Sequence, residues 1–190
     1  MIRAAKPSDA DVVVPLIIQA MGKLAGKFAN SNDPDVIIAL FKHFFIQDNN
    51  QYSFQNTLVY TEKNHVLGSL NAYDGAKLFI LRKNFTNYLA KNRGLTDFHP
   101  EAETQPGEFY LDTISVNHNM QGKGIGKLLI HAGIDWARNL GHQKVGLLVE
   151  KNNTKAFKLY QKMGFTIQNE HIFIGEDYLH MVCQIDNSNS

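Results

Sequence analysis

Apolar residues recur at helical spacing after Asp33-Pro34, at Val36, Ile37, Leu40, Phe41, Phe44 and Phe45, and predict a helix with one core-facing stripe. Asp33 stands as its cap, and Pro34 sits at the first helical position, where a missing N–H costs nothing. An earlier helix is expected from Ser8, with Asp11 imitating a reciprocal cap and Pro15 kinking or delaying it. Residues 57–63 and 65–72 have strand composition around the turn-prone pair Lys63-Asn64, which predicts a hairpin. A helix around Ala76–Lys91 and a polar stretch, Leu95–Gly107, form an excursion from the sheet over 73–107. Beyond it the pattern gives a strand (108–116), a helix (about 123–139), a strand (143–150), a helix (about 153–162) and strands near 166–174 and 178–185. The long helix is given one apolar side by Ile125, Leu128, Leu129, Ala132, Trp136 and Leu140, with Gly141 placed to end it. Strand, helix and strand in this order predict a right-handed parallel crossover.

The turn inside that crossover, Gln121-Gly122-Lys123-Gly124-Ile125-Gly126, carries the chemistry. Glycines let backbone N–H groups approach an anion, and the first helical turn adds unpaired donors and the positive end of the helix dipole. A phosphorylated ligand is expected there. The spacing is G-x-G-x-G, not the G-x-G-x-x-G of dinucleotide folds. A Walker loop also fails, because Gln121 stands where its first glycine belongs and Leu128 follows Gly126-Lys127 in place of Ser or Thr.

Composition narrows the partners. The chain has 190 residues, 44% of them hydrophobic, and a net charge of +1, with no Lys/Arg block; one domain is expected, with no nucleic-acid or membrane partner and a polar frayed tail at 186–190. Cys183 is the sole cysteine, so no internal disulfide is possible, and its apolar run Tyr178–Ile185 predicts a buried inert thiol. Met1–Pro7 lacks a signal-peptide core, and the run Val12–Ile18 is short and broken by Pro15, which points to a cytoplasmic protein. Eight histidines offer no H-x-x-x-H pair on a predicted helix, so no metal is expected, and His118 reads as an exposed loop residue.

Gln121-x-x-Gly124-x-Gly126 matches the Q/R-x-x-G-x-G/A pattern, and Asn153-x-x-Ala156-x-x-Leu159-Tyr160-x-x-x-Gly164-Phe165 follows at the right distance. Together these resemble the GNAT superfamily of acyl-CoA-dependent N-acetyltransferases over about Glu108–Phe165, and Ile2-Arg3-Ala4-Ala5-x-x-x-Asp9 looks like its opening strand and helix start. The resemblance implies an α/β (α+β) fold: a mostly antiparallel mixed sheet of about seven strands, helices on both faces, and a parallel pair, 108–116 and 143–150, splayed at its C-terminal ends. Acetyl-CoA would lie in that gap, its pyrophosphate on the N–H groups of Gln121, Gly122, Lys123, Gly124, Ile125 and Gly126. Its pantetheine arm would pair with Ile114, Ser115 and Val116 as an added strand. Lys123 and Lys127 are possible phosphate contacts, against the ordinary reading of solvated surface lysines.

Acetyl transfer to an amine requires a deprotonated amine, a polarised carbonyl and a proton for the departing thiolate. By resemblance the carbonyl donor is the Val116 N–H, and Tyr160 is the general acid, although its helical spacing with Ala156, Leu159 and Met163 alone would read as core. Asn153 caps the second helix and is expected to touch the cofactor arm. A position where the family often has a carboxylate holds Tyr110. Asp112, on the same strand face, is therefore the candidate base, with a paired structural carboxylate as the competing reading; Glu108 at the strand start and a water are further choices. The excursion would select the acceptor, and Asp97, Glu101 and Glu103 are placed to attract a cationic amine. The acceptor is a small-molecule or peptide amine, and a homodimer is possible. A catalytically silent acyl-CoA sensor is the rival reading, opposed by Tyr160 and the intact turn.

Overall fold

In the computed structural model, which describes residues 1–185, seven strands form one sheet in the order β1-β2-β3-β4-β5-β7-β6. They are β1 (Ile2–Ala4), β2 (Thr57–Glu62), β3 (His65–Asp74), β4 (Phe109–Val116), β5 (Lys144–Glu150), β6 (Thr166–Phe173) and β7 (Glu176–Gln184). Every pairing is antiparallel except β4 with β5, as the crossover requires. The β2–β3 turn puts Lys63 and Asn64 at φ 48° and 65°, the left-handed conformation that tight hairpin turns demand. The tail expected at 186–190 lies outside the described residues.

Among the described residues six α-helices cover the two faces: α1 (Ala10–Met21), α2 (Lys23–Ala29), α3 (Pro34–Phe45), α4 (Leu78–Arg93), α5 (Ile125–Asn139) and α6 (Thr154–Lys162). Residues of α1 to α4 share one core with Tyr52, Phe173 and Tyr178, and α5 and α6 pack against a second built on Phe109, Leu111, Val145 and Leu147. Helix α1 runs on through Pro15. Asp11 makes no cap; it pairs with Lys42, while Asp9 caps the preceding turn by accepting from the Lys6 N–H at 2.8 Å and holds Arg3 at 2.7 Å. On α5 the buried face is Ile125, Leu129, Ile130, Gly133 and Ala137, whereas Leu128 and Leu140 are exposed. The expected stripe is thus turned, because a Cβ at Gly133 would stand 2.7 Å from Leu70: the helix lies close against the sheet along its small residues.

The excursion is tied down. Arg82 of α4 donates through Nη1 to the Pro100 and Glu101 carbonyls (3.1 and 2.8 Å) and forms an ion pair with Glu103, and Glu101 accepts from the Ile174 N–H at 3.0 Å. No single helix among the described residues is long and apolar enough to cross a membrane, the run Pro7–Met21 bending by 106° into α2.

Candidate functional site

Strands β4 and β5 pair only from Phe109–Val145 to Leu111–Leu147. Beyond that point Thr113–Val116 stay with β3 and Leu148–Glu150 stay with β7, so a wedge opens between two well-held arms. The Asn117 N–H donates to the Leu67 carbonyl at 2.9 Å, which makes 117, 115 and 113 the positions whose backbone bonds to β3. The N–H and C=O of Ile114 and Val116 therefore point into the wedge, while those of Ser115 turn away from it. The Val116 carbonyl accepts from Gln19 Nε2 (3.0 Å) and Gln121 Nε2 (3.3 Å), and Gln19 also donates to Ser115 Oγ (2.8 Å).

At the far end of β4, Asn117 Oδ1 accepts from the Asn119 N–H and the chain enters the glycine turn. Gly122 (φ 79°) and Gly124 (φ 85°) occupy left-handed backbone that a Cβ disfavours. Among the described residues, the N–H groups from Gly122 to Lys127 make no protein hydrogen bond; the first pairing in α5 is Leu128 N–H to Gly124 O at 3.2 Å. Six free donors at a helix N-terminus can surround an anion. Lys123 lies over Met120 Sδ at 3.4 Å and Lys127 is exposed. Sequence reasoning missed Lys155 of α6, whose Nζ reaches Gln121 Oε1 at 3.3 Å; no local pattern joins residues so far apart in the chain.

Tyr160 and Asp112 lie on opposite faces of the sheet beside the wedge. Tyr160 packs against the same apolar core as Ile114, Val116 and Leu159, with Phe165 at 6.0 Å between ring centroids, and its hydroxyl has no partner among the described residues. Burial pushes its phenol up to about 12. Asn153 caps α6, its Oδ1 accepting from the Ala156 N–H at 3.1 Å. Asp112 is a bulge residue: Asn71 faces Thr113 and Ala72 faces Leu111, leaving Asp112 without a partner on β3 where the wedge begins. Its half-buried carboxylate accepts from the Tyr73 hydroxyl at 2.9 Å. Burial, and then the nearby Glu103 carboxylate, push Asp112 well above the usual carboxylate range.

Glu108 is no surface carboxylate. It is 3% exposed beside the paired end of β4, accepting from Thr104 (3.3 Å) and Gln105 (3.0 Å) and standing 3.1 Å from His180 Nε2, so its oxygens are engaged away from the wedge. A Cβ at Gly146 would meet its Oε2 at 2.6 Å, which explains the glycine in β5. Burial pushes Glu108 up, but the His180 and Gln105 hydrogen bonds outweigh it and hold the carboxyl below its ordinary value. Glu103, expected to face a cationic amine, is instead spent on Arg82 in the interior, and Glu101 on the Ile174 N–H; Asp97 is exposed. Among the described residues no group of three or more His, Cys, Asp or Glu side chains could hold a metal ion.

A model of the acetyltransferase (GNAT) family matches residues 28–165. A mycothiol acetyltransferase of Pseudarthrobacter chlorophenolicus is 37% identical over 82 residues, which is 42% of this chain and 25% of that relative, so the match spans about a quarter of the curated protein. Among solved structures, one described as an acetyltransferase superposes with a TM-score of 0.80 at 29% identity, covering 98% of this chain and 100% of the other. An N-acetyltransferase from Staphylococcus aureus Mu50 superposes at 0.79 with 21% identity, covering 96% and 99%, a likeness of fold. With the family model spanning most of its length and the seven-stranded splayed sheet in place, the chain belongs to the acetyltransferase (GNAT) family.

Proposed function

We propose that this protein transfers the acetyl group of acetyl-CoA to a primary amine by direct attack in a ternary complex. The observation that carries this reading is the wedge between β4 and β5, lined on one arm by outward-facing backbone and leading to the free N–H groups of Gly122 to Lys127. A ligand with a diphosphate at one end and amides along its length fits that surface. The pyrophosphate binds at Gln121 to Gly126, with Lys155 adding charge, and the arm runs along Ile114 and Val116 beside Asn153. The Ile114 N–H is the first donor beyond the bulge that points into the wedge, closer along the strand to Asp112 than the Val116 N–H, so it is the better placed to polarise the thioester carbonyl. The amine approaches from the Asp112 face, loses its proton to that carboxylate and attacks; the carbon–sulfur bond then breaks beside Tyr160, which stabilises the departing thiolate.

A panel of small and peptide amines with acetyl-CoA, followed by release of free CoA thiol, tests the reading. Turnover with at least one amine class is expected; acetyl-CoA binding without release in the presence of every class would overturn it. The turn is tested separately. Gly124→Ala forces an alanine into left-handed backbone and is expected to weaken CoA binding about tenfold, the equivalent of ~1.4 kcal/mol. Gly126→Ala should bind nearly as wild type, because its Cβ would meet only Leu159 at 3.7 Å and Val116 at 4.0 Å. Titration calorimetry with CoA distinguishes the two.

A further inference from the structure

The buried groups behind Asp112 form a connected set that the proposed chemistry has not used. Gln51, 1% exposed, places Nε2 3.5 Å from Asp112 Oδ2 and Oε1 3.4 Å from Arg82 Nε. An arginine only donates, so the Gln51 oxygen must face Arg82 and its NH2 must face Asp112: the orientation of the amide is dictated. The remaining nitrogens of Arg82 are committed to the Pro100 and Glu101 carbonyls and to Glu103. Glu103 Oε2 in turn stands 3.5 Å from the Tyr110 hydroxyl. One cation, Arg82, thus faces two carboxylates, Glu103 and Asp112, with the phenols of Tyr52, Tyr73 and Tyr110 enclosing them. The directly bonded carboxylate, Glu103, takes most of the compensation. Asp112 makes no ion pair: the Tyr73 hydroxyl, the field of Arg82 and the Gln51 amide, in that order, favour its charged form.

We propose that Gln51, oriented by Arg82 and Glu103, is a positioning residue for the reaction: it and Tyr73 hold Asp112 Oδ2, leaving Oδ1 to take the proton of the incoming amine. The excursion then serves the base from behind, since its Glu103 fixes Arg82 and Arg82 fixes Gln51. This rests on Asp112 being the base. The groups around Asp112 are Glu103 from the excursion, Arg82 from α4, Tyr73 from β3, Tyr110 from its own strand, and Gln51 and Tyr52 from the segment before β2.

The test is the pH dependence of kcat/KM with the best amine, in folded protein checked by thermal melting. Gln51→Leu and Tyr73→Phe each remove a donor to the carboxylate and are expected to move the acid limb up by about 0.5 to 1 unit. Glu103→Gln removes a neighbouring negative charge and is expected to move the same limb down. Opposite displacements of one limb are not produced by loosened packing. Two isosteric changes, Tyr73→Phe and Glu103→Gln, keep the comparison available where Gln51→Leu does not fold. Lower rates with an unmoved limb, or displacement of both limbs in one direction, would overturn the proposal. Failure of the underlying reading looks different: Asp112→Asn would then retain activity with its acid limb intact.

Discussion

Asp112→Asn is expected to lower kcat/KM by about 100-fold or more and, in the same protein, to raise the melting temperature at neutral pH. In the proposed reaction the first effect follows from the missing base: an aliphatic amine is almost wholly protonated at neutral pH, and the two carboxylates nearest along the excursion and β4 are committed elsewhere, Glu108 to His180, Thr104 and Gln105 and Glu103 to Arg82. The second follows from the charge count in the interior. Folding lifts the carboxyl of Asp112 above its unfolded value, chiefly by burial and then by Glu103. Between those two values the folded protein binds the extra proton, so the contribution of this group to stability is fully present below the unfolded value and is lost as pH rises through the folded one. At neutral pH the native chain bears that cost and the asparagine variant does not. Relief on the order of 1 kcal/mol corresponds to roughly 2–4 °C for a chain of this length. Melting curves across pH check it: the gap between variant and wild type should close as pH falls to the ordinary aspartate range. An asparagine variant that is less stable at neutral pH, or that turns over normally, would sink both the electrostatic account and the assignment.

Much of the frame that holds this group was legible because it depends on local chemistry. The Asp33-Pro34 start, the Lys63-Asn64 turn and the strand–turn–helix around Gln121 are each set by a few neighbouring residues, and each stands where periodicity and turn preference put it. The two linked motifs from Gln121 to Phe165 are likewise short local patterns, and they pointed to the family whose model matches residues 28–165. What escaped the sequence is non-local. The α5 stripe was misjudged because the tight approach of Gly133 to Leu70 and Leu111 decides which side of the helix faces in. Asp112 and Tyr110 do share a face, with Tyr73 hydrogen-bonded to the first and packed 5.7 Å from the second, yet the bulge that sets Asp112 at the mouth of the wedge depends on register with β3. Glu103 was expected to attract a cationic amine, and no pattern in the sequence singles out Arg82. They become one buried ion pair only when the excursion folds back across the sheet.

Tyr160→Phe carries the other large expectation: turnover down by about 100-fold near neutral pH, acetyl-CoA affinity within about twofold, and a deficit that shrinks as pH rises through the thiol range. The affinity is kept because the ring, not the hydroxyl, packs with Phe165 and into the core that Ile114, Val116 and Leu159 also flank. The pH dependence comes from comparing two acids. A phenol pushed up to about 12 stays protonated throughout the working range, so the hydrogen is always present to face sulfur. It is nevertheless a weaker acid than a thiol, which titrates near 8.5, so complete transfer to a free thiolate is uphill. In the proposed reaction the hydroxyl therefore acts while the carbon–sulfur bond is breaking, by donating a hydrogen bond to the charge that develops on sulfur and passing its proton only as that proton is replaced from the medium. Above the thiol range the thiolate is a stable product without any proton, and the phenol has less to contribute. Stopped assays of CoA release from pH 6.5 to 9.5, with CoA affinity measured alongside, separate this from a packing role. A deficit equal at every pH, or a matching loss of CoA binding, would place Tyr160 in the core of the fold and leave the leaving group to solvent.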